Sequence, residues 1–265
     1  WHAVMLLACA FVLIPIVMVV LGSFKTVSEF FAAPYGLPES FGLHNYERAF
    51  AEANLPTALR NSIVATGLGV LASTALAALA AYGLARFRFA GRLATRLLFI
   101  GGLVVPVQLI ILPLFIMFRQ AGILGSLLSL ILVYAVFGIP LGVLVLTGFF
   151  AALPRDLEEA ARIDGAGHLE VFWRIMLPLT RPAIAAVVIL NGVWMWNDFF
   201  LGFILLTDPD AMTLPVAIMA FRSGFSTEWG LIFASVTVSA LPVVLAYLLL
   251  SRQFIAGLTA GSVKG

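Results

Sequence analysis

Apolar residues gather in six long blocks, at about residues 3–22, 61–84, 97–118, 126–150, 183–206 and 230–251, with the polar residues mostly in the gaps between them. As a helix, each block is long enough to cross about 30 Å of hydrocarbon. Backbone amides there have no water partner and must bond within their own segment. The pattern predicts an all-α membrane protein with six transmembrane helices. Block 3–22 exceeds a signal-peptide core and reads as the first span. The chain opens on Trp1 and not on methionine, so residues before it are expected.

Within the blocks, the exceptions to plain hydrophobicity carry the information. The second places Ala65, Gly69, Ser73, Ala77 and Ala81 at every fourth position, a small-residue stripe that lets two helices approach closely. The third holds Pro106, Gln108 and Pro113, which predict a bend and make Gln108 a candidate for the translocation path. Gly138, Pro140 and Gly142 predict another bend in the fourth. The fifth carries Asn191, Trp194, Trp196, Asn197 and Asp198. Acids at membrane depth are costly and suggest function, but Asp198 falls about 24 Å along the helix, near an interface. The cluster therefore reads either as path lining (Asn191, Trp194, Asn197, Asp198) or as an interfacial belt beside water.

The gaps orient the chain. Loop 85–96, loop 151–182 and the tail 253–265 with Arg252 hold ten Lys and Arg, against five on the other side. The positive-inside rule then puts both termini in the cytoplasm. Outside lie segment 23–60, with an amphipathic run His44–Asn54, and loop 207–229, whose Thr207-Asp208-Pro209-Asp210 is a strong turn signal.

Composition agrees: 62 % hydrophobic and 11 % charged, against about 25 % charged in ordinary globular chains. A net charge of +2 gives no case for nucleic acid, and the single Cys9 supports neither a disulfide framework nor a thiol metal site. No GxxxxGK[ST], HExxH or GxSxG occurs. Gly165-Ala166-Gly167 starts a GxGxxG that Glu170 breaks, with no strand before it. An enzyme is not expected, and no cofactor is expected in this chain.

The most polar stretch is Glu159–Pro178. Asp156 can cap a helix, with Glu159 completing a capping box. Asp156, Glu158 and Glu159 suit the positive end of its dipole. Gly165 and Gly167 offer left-handed geometry to end it. A second short helix follows, with Leu169, Phe172 and Met176 on one face, and Pro178 and Pro182 close it and open the next span. From pattern alone this is an interfacial connector or a docking element.

Its spacing decides between them. Glu159-Ala160-Ala161, three residues, Gly165, nine residues, Ile175, one residue and Leu177-Pro178 resemble the EAA loop of ABC-importer permeases. With Trp196-Asn197-Asp198, Leu206–Asp210 and the tail to Gly265, the chain is similar to the maltose-type branch of carbohydrate importers, in particular to the second, glycine-tailed permease subunit. The resemblance implies the type I ABC-importer permease fold as one permease domain over 1–265, in a bacterial inner membrane. It implies a second unlike permease, two ATPase subunits that hold ATP and Mg, and an external substrate-binding protein.

On these positions, the resemblance gives Glu159, Ala160, Ala161, Asp164, Gly165, Ala166, Phe172, Ile175, Leu177 and Pro178 to ATPase coupling. Gly261, Ser262, Val263 and Lys264 would reach between the ATPases, and Thr207, Asp208, Pro209 and Asp210 would touch the binding protein. The sugar would be held chiefly by the other permease. A sugar is the expected cargo, with glycerol phosphate as an alternative within the family. A secondary transporter is the reading from another class, and the scarcity of intramembrane acids argues against it.

Overall fold

The computed structural model describes residues 1–222 and 227–262, with side chains as far as Leu248. In chain order the helices are α1 His2–Gly22, α2 Val27–Ala32, α3 His44–Glu52, α4 Leu55–Arg86, α5 Arg92–Gly102, α6 Val107–Gln120 and α7 Leu127–Ala152. Then follow α8 Asp156–Ile163, α9 His168–Val171, a π-turn Phe172–Met176, α10 Leu177–Leu179, α11 Arg181–Asn197, α12 Phe200–Leu205, α13 Leu214–Ala217 and α14 Trp229–Ser262.

Among the described residues four helices are long and apolar enough to cross a membrane unbroken: α1, α4, α7 and α14 as far as Leu248. The third predicted span is broken, with α5 and α6 meeting at 95°. Pro106 stands at the start of α6 in extended geometry, and its ring disfavours the helical conformation at Val105 before it. Pro113 and Pro140 lie inside continuous helices. The segment His168–Leu179 meets α11 at 76°, and α11 stops at Asn197, so the fifth predicted span finishes as the separate helix α12. Counting each bent pair as one span gives up to six. α14 does not end near Arg252 but continues to Ser262.

The chain divides into two compact units, Trp1–Ser62 with Asp208–Leu245, and Ile63–Thr207 with Ala246–Gly265. In the first, Trp229 and Phe233 of α14 pack on Phe30 at ring separations of 5.6 Å each. Asn45 donates to the carbonyls of Ser23 and Lys25, and the buried Lys25 donates to those of Ala33 and Pro34. Thr26 and Glu29 form a reciprocal capping box on α2. The Thr26 amide and hydroxyl hold the Glu29 carboxyl below its ordinary range.

The second unit is built on the small-residue stripe of α4. Ser73, Ala77 and Ala81 are fully buried, and the stripe lies against glycines of α7. A Cβ on Gly142 would stand 2.6 Å from that of Ala77, and one on Gly138 would stand 2.7 Å from that of Ser73. The stripe therefore packs α4 against α7 within the chain. Asn191 of α11 donates to the Gly138 carbonyl at 3.0 Å and ties the third helix to the pair.

Candidate functional site

The loop after α7 is gripped by the last turn of α4. Tyr82 and Arg86 stand four residues apart and share a helix face. Tyr82 meets Phe172 at 5.2 Å and Phe150 at 5.7 Å between ring centroids. Val171, Phe172 and Met176 are all but inaccessible and join a core with Ala77, Ala81, Leu146 and Phe150. Leu169 does not share that face. It is 69 % exposed in the first turn of α9, before the helix reaches this core.

Arg86 holds the other half of the loop. Its Nε lies 2.6 Å from Oε1 of Glu158, with the two side chains 5 % and 16 % exposed. Its Nη2 donates to the Leu153 carbonyl at 2.9 Å, where α7 ends. The expected capping box does not form: α8 has no side-chain cap, because Asp156 is already inside the helix and Glu159 sits too far along to reach back. Asp156, Glu158 and Glu159 do occupy the first turn, as the dipole argument expects.

α8 ends in a Schellman motif. Ala166 N–H donates to the Ala161 carbonyl and Gly165 N–H to that of Arg162. Gly165 sits at φ +89°, which an L-residue adopts only with strain. Gly167 is not left-handed: with φ −74° and ψ 162° it is the extended residue before α9.

The loop thus has two sides. Phe172 is buried, and Ala161, Ala166, Ile175 and Leu177 are partly buried against the core, with Pro178 half-buried at the start of α10. Glu159, Ala160, Asp164 and Gly165 are exposed. So is Leu169, which the spacing places with Phe172 and Met176, and so are two apolar side chains that it passes over, Ile163 at 86 % and Trp173 at 58 %. Apolar residues without a helical partner in the pattern were the available signal for them.

The path candidates are dispersed. Gln108 is exposed in the first turn of α6. Asn191 is buried, with its amide committed to Gly138. Trp194 is partly exposed beside Tyr134, at 5.7 Å, and stacks on Phe137 at 6.5 Å. Asn197 bonds back to the Val193 carbonyl of its own helix. Asp198 is half-buried and works as a cap. It accepts from the amides of Leu201 and Gly202 at the start of α12, and from the Tyr134 hydroxyl at 3.1 Å.

Thr207, Asp208, Pro209 and Asp210 are all exposed. Asp208 accepts from the Asp210 amide in a short 3-10 turn. Asn61 donates to the carbonyls of Asp210 and Met212 at 2.8 and 3.0 Å and fastens that turn. Of the tail positions, Gly261 and Ser262 end α14, and Val263 and Lys264 lie outside the described residues. Among the described residues no three His, Cys, Asp or Glu stand together as a metal site.

Comparison with known proteins bears directly on this arrangement. The family of the "Binding-protein-dependent transport system inner membrane component" matches residues 69–257. The diacetylchitobiose uptake system permease protein NgcG of Streptomyces coelicolor is 36 % identical over 265 residues, spanning 99 % of this chain and 88 % of that protein. The melibiose/raffinose/stachyose import permease protein MelC of Bacillus subtilis is 33 % identical over 261 residues, 98 % of this chain and 94 % of that one. A chain from the crystal structure of a bacterial ABC transporter involved in alginate import shares the fold, with a TM-score of 0.80 at 24 % identity, over 96 % of this chain and 95 % of that chain. The chain belongs to the family of inner-membrane components of binding-protein-dependent transport systems, as a permease subunit of the carbohydrate ABC-importer type and not an enzyme.

Proposed function

We propose that this permease carries an oligosaccharide across the inner membrane in six crossings with both ends in the cytoplasm, and that residues 156–178 receive the force of ATP hydrolysis from a partner. One observation carries the coupling assignment: the loop is fastened inward by Phe172 and Met176 while Ile163, Leu169 and Trp173 stand exposed among charged residues. An apolar set with a polar rim suits a protein partner. Glu159, Ala160, Asp164 and Gly165 lie on the outward side and complete the docking surface, whereas Ala161, Ala166, Phe172, Ile175, Leu177 and Pro178 hold it in place.

ATP and Mg belong to two ATPase subunits, since this chain has no phosphate-binding loop. A second, unlike permease completes the path, an external binding protein meets the turn at 207–210, and the tail from Gly261 to Lys264 lies toward the ATPases. The importers of diacetylchitobiose and of melibiose, raffinose and stachyose to which the chain is similar support an oligosaccharide as cargo. Differential contacts with the ATPases would shift the permease pair between inward- and outward-open states. On the path, Gln108, Trp194 and Asn197 are the accessible groups, and an indole face suits the apolar face of a sugar ring.

Native mass spectrometry of the gently extracted, tagged chain tests the reading. Co-purification with a second permease and two ATPase copies, and ATP-dependent oligosaccharide uptake in proteoliposomes, are the expected results. A homo-oligomer driving uptake from an ion gradient would overturn it.

A further inference from the structure

We infer that Arg86 is a positioning residue for energy coupling: through Glu158 and the Leu153 carbonyl it fixes α8 to the membrane helices, so that motion imposed on the loop enters α4 and α7. The inference rests on the proposed role of residues 156–178 and adds a residue outside that loop.

The geometry behind it is specific. α8 has almost no apolar grip of its own. None of its residues is fully buried, and among its alanines only Ala161 packs on the core. The second half of the loop is different, held by Phe172 against Tyr82 and Phe150. Between α7 and α8 lie only Leu153, Pro154 and Arg155, a connection that could flex and absorb a push. Arg86 spans that gap, with one nitrogen bonded to the carbonyl of Leu153, the residue that caps α7, and another beside Glu158 of α8.

The Glu158 contact is a close pairing of opposite charges and not an aligned hydrogen bond, while a planar donor of the same guanidinium is directed at the Leu153 carbonyl. With both side chains largely withdrawn from water, separating them would strand a buried charge, so the pair resists opening. Tyr82, one turn earlier on the same face, anchors the other half of the loop, so a single turn of α4 holds both halves.

The test uses the assembled complex in proteoliposomes with its loaded binding protein. It reads assembly, ATPase rate and sugar transported per ATP for Arg86→Leu, Arg86→Lys, Glu158→Gln and the swap Arg86→Glu with Glu158→Arg. Arg86→Leu is expected to assemble and to lose about tenfold in sugar transported per ATP, within the usual range for coupling between two sites. Arg86→Lys recovers part of it, and the swap recovers more than either of its single changes. A merely structural loss would lower ATPase and transport together and leave their ratio unchanged.

Glu158→Gln keeps the shape and serves where Arg86→Leu does not assemble. An assembled Glu158→Gln or Arg86→Leu complex with the parental ratio overturns the inference. If the parental chain itself neither binds an ATPase nor transports with ATP, the permease-coupling reading fails instead, so the two failures are separable.

Discussion

Phe172→Ala probes the two-sided loop most directly. Phe172 is 1 % exposed and touches the rings of Tyr82 and Phe150 at 5.2 and 6.3 Å. Truncating a buried phenylalanine costs about 3–5 kcal/mol from lost contacts and the cavity left behind. Aromatic pairs of this kind carry about 0.5–1.5 kcal/mol each beyond area burial, so the upper half of that range applies. At about 2–4 °C per kcal/mol for a domain of this size, the melting midpoint falls by roughly 10 °C.

Its neighbour is the control. Trp173 is 58 % exposed and loses one ring contact, with Phe172 at 5.1 Å, worth about 0.5–1.5 kcal/mol, a shift of roughly 1–6 °C and smaller than that of Phe172→Ala. Far-UV circular dichroism of the purified chain in one detergent measures both, without relying on the tryptophan that is removed. The same variants, titrated with the partner ATPase, separate the sides a second time: Trp173→Ala binds more weakly while losing less stability than Phe172→Ala. If Phe172→Ala melts with the parent, or if Trp173→Ala is the more destabilised one, the assignment of inward and outward faces is wrong.

Three further perturbations test the supports of this loop and of the helices beneath it. Gly165→Ala places a Cβ in open space at φ +89°, so it costs only the left-handed strain, about 1–2 kcal/mol. An unchanged or higher melting midpoint would refute the Schellman end. Gly142→Val drives a side chain into Ala77, 2.6 Å from the new Cβ, and overpacking of this sort costs about 1–3 kcal/mol. Gly148→Ala on the same helix meets nothing within 4 Å and should leave the midpoint unchanged or raise it slightly. Asp198→Ala removes the cap of α12, worth about 0.5–2 kcal/mol, and strands the Tyr134 hydroxyl. In a double-mutant cycle with Tyr134→Phe, the second change should cost less once the first is made; strict additivity would show that the 3.1 Å bond contributes nothing.

How much of this was legible depended on whether the relevant physics is local. The apolar blocks announced the helices because lipid imposes length and composition residue by residue. Gly165 was legible because a left-handed residue at a helix end is a local demand that glycine meets. The break after α5 was legible only as a bend, since Leu103, Val104 and Val105 are as apolar as any helical stretch. The small-residue stripe gave its spacing but not its partner, which became clear once Gly138 and Gly142 were found facing it. Asp198 stayed open between path lining and an interfacial belt, because sequence counts its charge and not the two amides and one hydroxyl that bond it. The Arg86–Glu158 pair was not legible: four arginines in loop 85–96 and three acids in the first turn of α8 were equal candidates, and only the packing of α4 against α7 brings one of each together.

That packing also explains how a polar loop is held against the membrane helices. Lipid is as apolar as leucine, so helices within it are held by close contact and by polar bonds. The interlocked Ala77–Gly142 and Ser73–Gly138 contacts, together with the Asn191 amide on the Gly138 carbonyl, supply both in the second unit. α4, α7 and α11 therefore form one body, and its α4 ends in the turn that carries Tyr82 and Arg86. An apolar anchor alone would let α8 pivot about the Leu153–Arg155 connection, because ring contacts resist separation better than rotation. An ion pair that is also bonded to the end of α7 fixes direction as well as distance. Under the proposed coupling, a partner pushing on the exposed face of α8 would have to move the three-helix body or break a buried charge pair.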